Sequence, residues 1–205
     1  MTYQVKEIFY SLQGEGANTG RAAVFCRFTG CNLWSGRAED RANAKCNFCD
    51  TDFVGGEKFN KATKLAQDLS NHWPKNAGQK FVILTGGEPS LQVDQPLIAA
   101  LHELDFKVAI ETNGTQNIPD GLDWITVSPK ATEKLAITHG DELKLVYPQI
   151  DVDPAIFVDL DFEHFFLQAM DGEDQAANLV MAMEYCQEHP SWRLGLQTHK
   201  LLNIR

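Results

Sequence analysis

Alternation narrows the fold of this chain more than any other feature. Short β-branched or aromatic runs, each closed by a Gly-, Pro- or Asn-rich break, recur at 23–28, 81–84, 108–110, 124–127, 143–147, 165–167 and 192–196. Between several of them lie helical patterns at 62–73, 95–104 and 173–189, with the three- and four-residue spacing of Leu179, Met183 and Cys186. Strands alternating with helices imply an α/β fold, a parallel sheet with helices packed on its faces. A closed eight-unit barrel takes about 250 residues, and this chain has 205. Six or seven core strands are therefore expected, and periodicity alone leaves a barrel and an open doubly wound sheet both standing. No repeat, low-complexity tract or linker interrupts the pattern, so residues 1–205 read as one domain.

The polar exceptions to the pattern fall at strand ends. Cys31 follows the first run, Thr85-Gly86-Gly87-Glu88-Pro89 the second, Glu111-Thr112-Asn113-Gly114 the third and Ser128-Pro129-Lys130 the fourth, with Gln168 and His199 after later ones. In parallel sheets the C-terminal strand ends are where ligands bind.

Composition excludes some partners. With 18 Lys+Arg against 28 Asp+Glu, a net charge of −10 argues against nucleic acid held through its phosphates, because that affinity comes from basic side chains. No stretch approaches the ~18 apolar residues of a membrane span, and Lys6 and Glu7 stand where a secretory apolar run would begin. A cytoplasmic protein without membrane contact is expected.

Five cysteines are an odd set for a disulfide framework. Cys46-Asn47-Phe48-Cys49 is a Cys-x-x-Cys pair, and Cys31 lies upstream across residues 32–45. No histidine occurs before His72 to complete a closed zinc site, and a redox dithiol would leave Cys31 unexplained. Three thiolates suit an iron–sulfur cluster with one open iron; zinc and redox chemistry stay open as alternatives. Cys26, inside an apolar run, and Cys186, on a helical stripe, read as core residues.

Taken together, these motifs resemble the radical S-adenosylmethionine superfamily. Cys31, Cys46 and Cys49, with Phe48 before the last, are similar to its three-cysteine motif, and Thr85-Gly86-Gly87-Glu88-Pro89 to its Gly-Gly-Glu motif. The first gap, 32–45, is fourteen residues where three are usual. The resemblance narrows to the 7-carboxy-7-deazaguanine synthase family, some members of which carry such an insertion. The segments that narrow it run from Phe9-Tyr10-Ser11-Leu12-Gln13-Gly14-Glu15-Gly16, through Cys49-Asp50-Thr51-Asp52-Phe53, to Gln197-Thr198-His199-Lys200.

The resemblance implies a shortened, open TIM-like barrel, usually homodimeric, and a carbon–nitrogen lyase of queuosine and deazapurine biosynthesis. It would turn 6-carboxy-5,6,7,8-tetrahydropterin into 7-carboxy-7-deazaguanine with loss of ammonia. The implied cofactors are a [4Fe–4S] cluster on Cys31, Cys46 and Cys49, S-adenosylmethionine and Mg2+, with a flavodoxin- or ferredoxin-type reductant. By the same resemblance Phe48, Cys49, Asp50, Gly87, Ser128, Pro129, Lys130, Gln168, Ala169, Met170 and Asp171 would hold S-adenosylmethionine, and Thr51 the Mg2+. Leu12, Gln13, Gly14, Glu15, Arg27, Thr85, Glu111, His199 and Arg205 would bind the pterin, the last through its backbone carboxylate.

Several of these residues also have ordinary readings. Thr51 suits a turn, Lys130 a solvated position, Arg27 an edge-strand surface, and Glu88 the first turn of a helix. An activase that places a radical on a partner protein, or an iron–sulfur or zinc module, would share the cysteines. The activase would not require the segments around Gln13 and His199.

Overall fold

Residues 2–75 and 77–205 are described by the structure, a computed structural model. Tyr3–Leu12 forms β1, Ala22–Phe28 β2, Glu57–Phe59 β3, Lys80–Gly86 β4 and Phe106–Thr112 β5; Trp124–Val127 forms β6, His139–Tyr147 β7, Asp161–Ala169 β8 and Trp192–Gly195 β9. They make one sheet in the order β3-β1-β2-β4-β5-β6-β7-β8-β9. The strands from β2 through β4 to β9 pair in parallel. Two antiparallel strands, β1 against β2 and β3 against β1, extend one edge. No ladder joins β3 to β9, so the barrel-like sheet is open.

All seven expected runs are strands, and β1 and β3 were not foreseen. The reason for missing β1 is a register shift between Val5 and Glu7. A bulge moves the following side chains to the opposite face: Tyr3 and Val5 join the core outside the sheet, whereas Phe9 joins the core inside it.

Ala62–His72 forms α1, Gln95–His102 α2, Gln175–Glu188 α3 and Thr198–Leu202 α4. Asp94 starts α2 by accepting the Leu97 N–H at 3.1 Å and the Tyr3 hydroxyl at 2.6 Å. Leu65, Ala66 and Leu69 of α1 and Leu97, Ile98 and Leu101 of α2 then bury an apolar stripe against Val24, Val82, Val108 and Ile110. The expected stripe on α3 needs correction. Of its residues only Ala182 is buried, with Tyr185 and Cys186 packed beside it, while Leu179 and Met183 are exposed. Cys26 is fully buried. Among the described residues no helix is long and apolar enough to cross a membrane.

Inside the sheet, Phe9, Phe25, Phe81 and Ile83 pack into an apolar floor, with the Phe9 and Phe25 rings stacked at 5.0 Å. Above this floor the C-terminal strand ends open.

Candidate active site

A cavity of about 490 Å³ occupies that open end. Every site residue expected from the sequence lines it except Pro129 and Met170. Those two hold turns instead. The Pro129 carbonyl accepts from Gln149 at 3.2 Å, and the Met170 N–H donates to the Tyr147 carbonyl at 2.7 Å.

The three expected thiols stand along one wall. Burial pushes the Cys31 thiol up, opposed by backbone N–H groups, of which that of Leu33 lies 3.4 Å from Sγ. The neighbouring Cys46 and Cys49 thiols split their titration, which lowers Cys49 to about 6 and raises Cys46. Among the described residues no set of three or more His, Cys, Asp and Glu side chains closes around a point as a metal site. The donor chemistry nevertheless fits a four-iron cluster, since three thiols face the cavity and leave one iron for an external ligand.

The Gly-Gly-Glu segment owes its glycines to close packing against the turn before Cys31. A Cβ on Gly86 would lie 2.4 Å from the Phe28 oxygen, and one on Gly87 2.0 Å from the Gly30 oxygen. The Gly87 N–H donates to the Phe28 carbonyl at 3.0 Å. Glu88 points away from the cavity and is fully buried. Its carboxylate accepts from Thr112 Oγ1 at 2.5 Å, the Asn113 N–H at 2.7 Å and the Ser90 N–H at 3.0 Å. Glu88 thus fastens the end of β5 to the Gly-Gly turn while capping the short helical turn Pro89–Leu91.

Lys130 is only partly exposed, unlike a freely solvated lysine. Desolvation pulls its pKa down, and its Nζ donates to Ser128 Oγ at 2.6 Å and lies 5.9 Å from the Phe48 ring centroid. Gln168 is buried with Oε1 unpartnered at the cavity wall, an acceptor left for a ligand. Thr51 begins no helix; its hydroxyl reaches only Asp50, at 3.5 Å. Across the mouth Lys200 of α4 ties Asp50, at 2.7 Å, to Asp171, at 2.6 Å.

A charged network also lines the cavity. Glu111 accepts from Gln13 Nε2 at 2.8 Å and Thr85 Oγ1 at 3.1 Å. Lys144, on β7 and almost fully buried, contacts Glu15 and lies 3.8 Å from Glu111. Burial alone would raise the Glu15 carboxyl, but Lys144 and Gln197 outweigh it and hold Glu15 at about 2. Glu142, on the same face of β7, is raised to about 6 by burial. Lys144 itself is pushed down by burial and, more strongly, up by Glu111, Glu15 and Glu142. The sequence analysis missed Lys144 and Glu142. Their only signal is alternation with Leu143 and Leu145, which also describes a solvated strand face.

His199 packs so tightly on Gly14 that a Cβ there would lie 2.3 Å from Nδ1. Thr198, beside it, donates its N–H to the Gly14 carbonyl at 2.9 Å. Arg27 faces the cavity, with Nε on Glu7 at 2.9 Å. Arg205 lines the cavity, with its side chain paired with Glu7 and its main-chain oxygen accepting from the Ser11 hydroxyl. The C-terminal segment is thereby tied to β1.

No protein-family model matches the chain. It is 56% identical to the 7-carboxy-7-deazaguanine synthase of Burkholderia multivorans, with both chains covered completely. Against the enzyme of that name from Bacteroides thetaiotaomicron the identity is 45%, again over all of both chains. Among solved structures, QueE from Escherichia coli superposes with a TM-score of 0.71 at 25% identity, covering 96% of this chain and 94% of that one.

Proposed function

The chain belongs to the 7-carboxy-7-deazaguanine synthase family of the radical S-adenosylmethionine superfamily, and from that premise we propose that it converts 6-carboxy-5,6,7,8-tetrahydropterin to 7-carboxy-7-deazaguanine with loss of ammonia. The observation that carries this reading is one cavity lined both by three thiols and by the Gln13, Glu15, Glu111 and Lys144 network.

Cys31, Cys46 and Cys49 would hold the cluster, which when bound supplies an electron to the sulfonium of S-adenosylmethionine. Gly87, packed on the Gly30 carbonyl, presents its backbone to that cofactor at the cavity wall. Ser128, Lys130 and Gln168 offer it donors and an acceptor, and Phe48 offers a ring face. Thr51 gives Mg2+ a neutral oxygen, and Mg2+ takes few protein ligands and keeps several waters.

The ionised carboxylate of Glu15 and the carboxyl group of Glu111 accept from the N–H edge of the pterin, and Gln13 and Thr85 fix where Glu111 points. Lys144 keeps Glu15 charged in a site that burial would otherwise neutralise. Arg27 supplies a cation for the substrate carboxylate. His199, packed on Gly14, borders the same edge.

The homodimer and the flavodoxin- or ferredoxin-type reductant are part of this proposal. Exposed Leu179, Val180, Met181 and Met183 on α3 offer apolar surface for a second copy. The test is anaerobic incubation of the reconstituted, reduced protein with S-adenosylmethionine, Mg2+ and the carboxypterin. Product of the mass of 7-carboxy-7-deazaguanine is expected; an intact cluster with no such product would overturn the reading.

A further inference from the structure

The insertion at 32–45 is built onto the cysteine loop. No helix or strand spans residues 44–56, so the backbone around Cys46 and Cys49 has no ladder to hold it. Arg41, in the short 3-10 helix Ala38–Asn43, supplies that hold. Its Nη1 donates to the carbonyls of Asn47 and Cys49, both at 2.9 Å. The guanidinium lies 4.1 Å over the Trp34 ring. Trp34 is buried edge-to-face against Phe53, with centroids 5.5 Å apart. Both ends of the insertion are closed, because the Leu33 carbonyl accepts the Lys45 N–H at 3.1 Å and the Cys46 N–H at 3.4 Å.

We infer that the insertion is a clamp on the Cys-x-x-Cys loop, with Arg41 the positioning residue that presets the spacing of the two thiols. The inference deepens the proposed function and rests on its assignment of Cys46 and Cys49 to the cluster. Charge-assisted bonds from one planar group to two carbonyls fix the loop conformation before anything binds. Stacking on a buried tryptophan fixes the guanidinium in turn. Arg41 does not line the cavity, so it acts through the loop and not on a substrate.

The test compares wild type with Arg41→Gln and Arg41→Lys. In the metal-free proteins, hydrogen exchange of amides 45–51 is expected to quicken about tenfold in R41Q, as loss of charged hydrogen bonds predicts. After anaerobic reconstitution, iron loss to a chelator should quicken about tenfold, the scale found for groups that orient metal ligands. R41K keeps the charge without the planar stack and should fall between. R41Q indistinguishable from wild type in exchange and in iron loss would overturn the clamp alone. A wild-type chain that takes up no four-iron cluster would overturn the proposed function, and loop exchange that still depended on Arg41 would support the clamp.

Discussion

The inner face of the sheet has two halves built on the same strand geometry with opposite chemistry. Under β1, β2 and β4 it is Phe9, Phe25, Phe81 and Ile83, closely packed and uncharged. Toward β5 and β7 it is Glu111, Glu142 and Lys144, joined by Glu15 from the loop after β1. The first half stabilises the fold by removing apolar surface from water. The second resists burial: Lys144 holds Glu15 ionised and is itself kept charged by Glu111, Glu15 and Glu142. Stability and ligand chemistry are thus divided between neighbouring strands of one layer.

The largest effect should come from Lys144→Met. Removing the cation leaves buried carboxylates unpaired, a change expected to cost about 3–5 kcal/mol, read by denaturant unfolding, together with nearly all turnover. A variant of wild-type stability would mean the charged half is not held together by its lysine. Phe81→Ala tests the other half. A cavity there should cost about 3 kcal/mol while KM, measured well below the melting transition, stays unchanged. A large rise in KM would break the division of labour.

Glu142→Gln sharpens the comparison through pH. A carboxyl held at about 6 in the folded chain against an ordinary value of 4.5 keeps its proton in the folded state after the unfolded chain has released it. Stability should therefore fall as pH rises from about 4.5 to 6, by about 2 kcal/mol, and E142Q should lack this fall. Glu15 has the opposite sign: held at about 2, its contribution is present above 4.5 and is lost as pH drops toward 2. Unfolding free energies of wild type and E142Q across pH 4–7 decide the matter, and parallel curves would refute the assignment.

Much of this was legible beforehand. The seven parallel strands follow from apolar runs and their breakers, and the residues ending them from the rule that such ends share one edge. The ordered motifs from Gln13 to His199 pointed to one cavity, and their side chains line one. The bulge at Val5 to Glu7 hid β1, because the inward face changes partway along the strand. Glu88 read as the first turn of a helix, and the distant residues Thr112 and Asn113 fix where its carboxylate points. The pairing of the Arg205 side chain with Glu7, across nearly the whole length of the chain, had no local signal.

The sequence by itself determined the seven parallel strands and which polar residues crown them, because these depend on local periodicity and turn chemistry. Only the tertiary structure decided which charges are buried together. Glu15 and Lys144 are separated by 129 residues, and whether a lysine on a strand meets water or three carboxylates is set by what the other strands bring beside it.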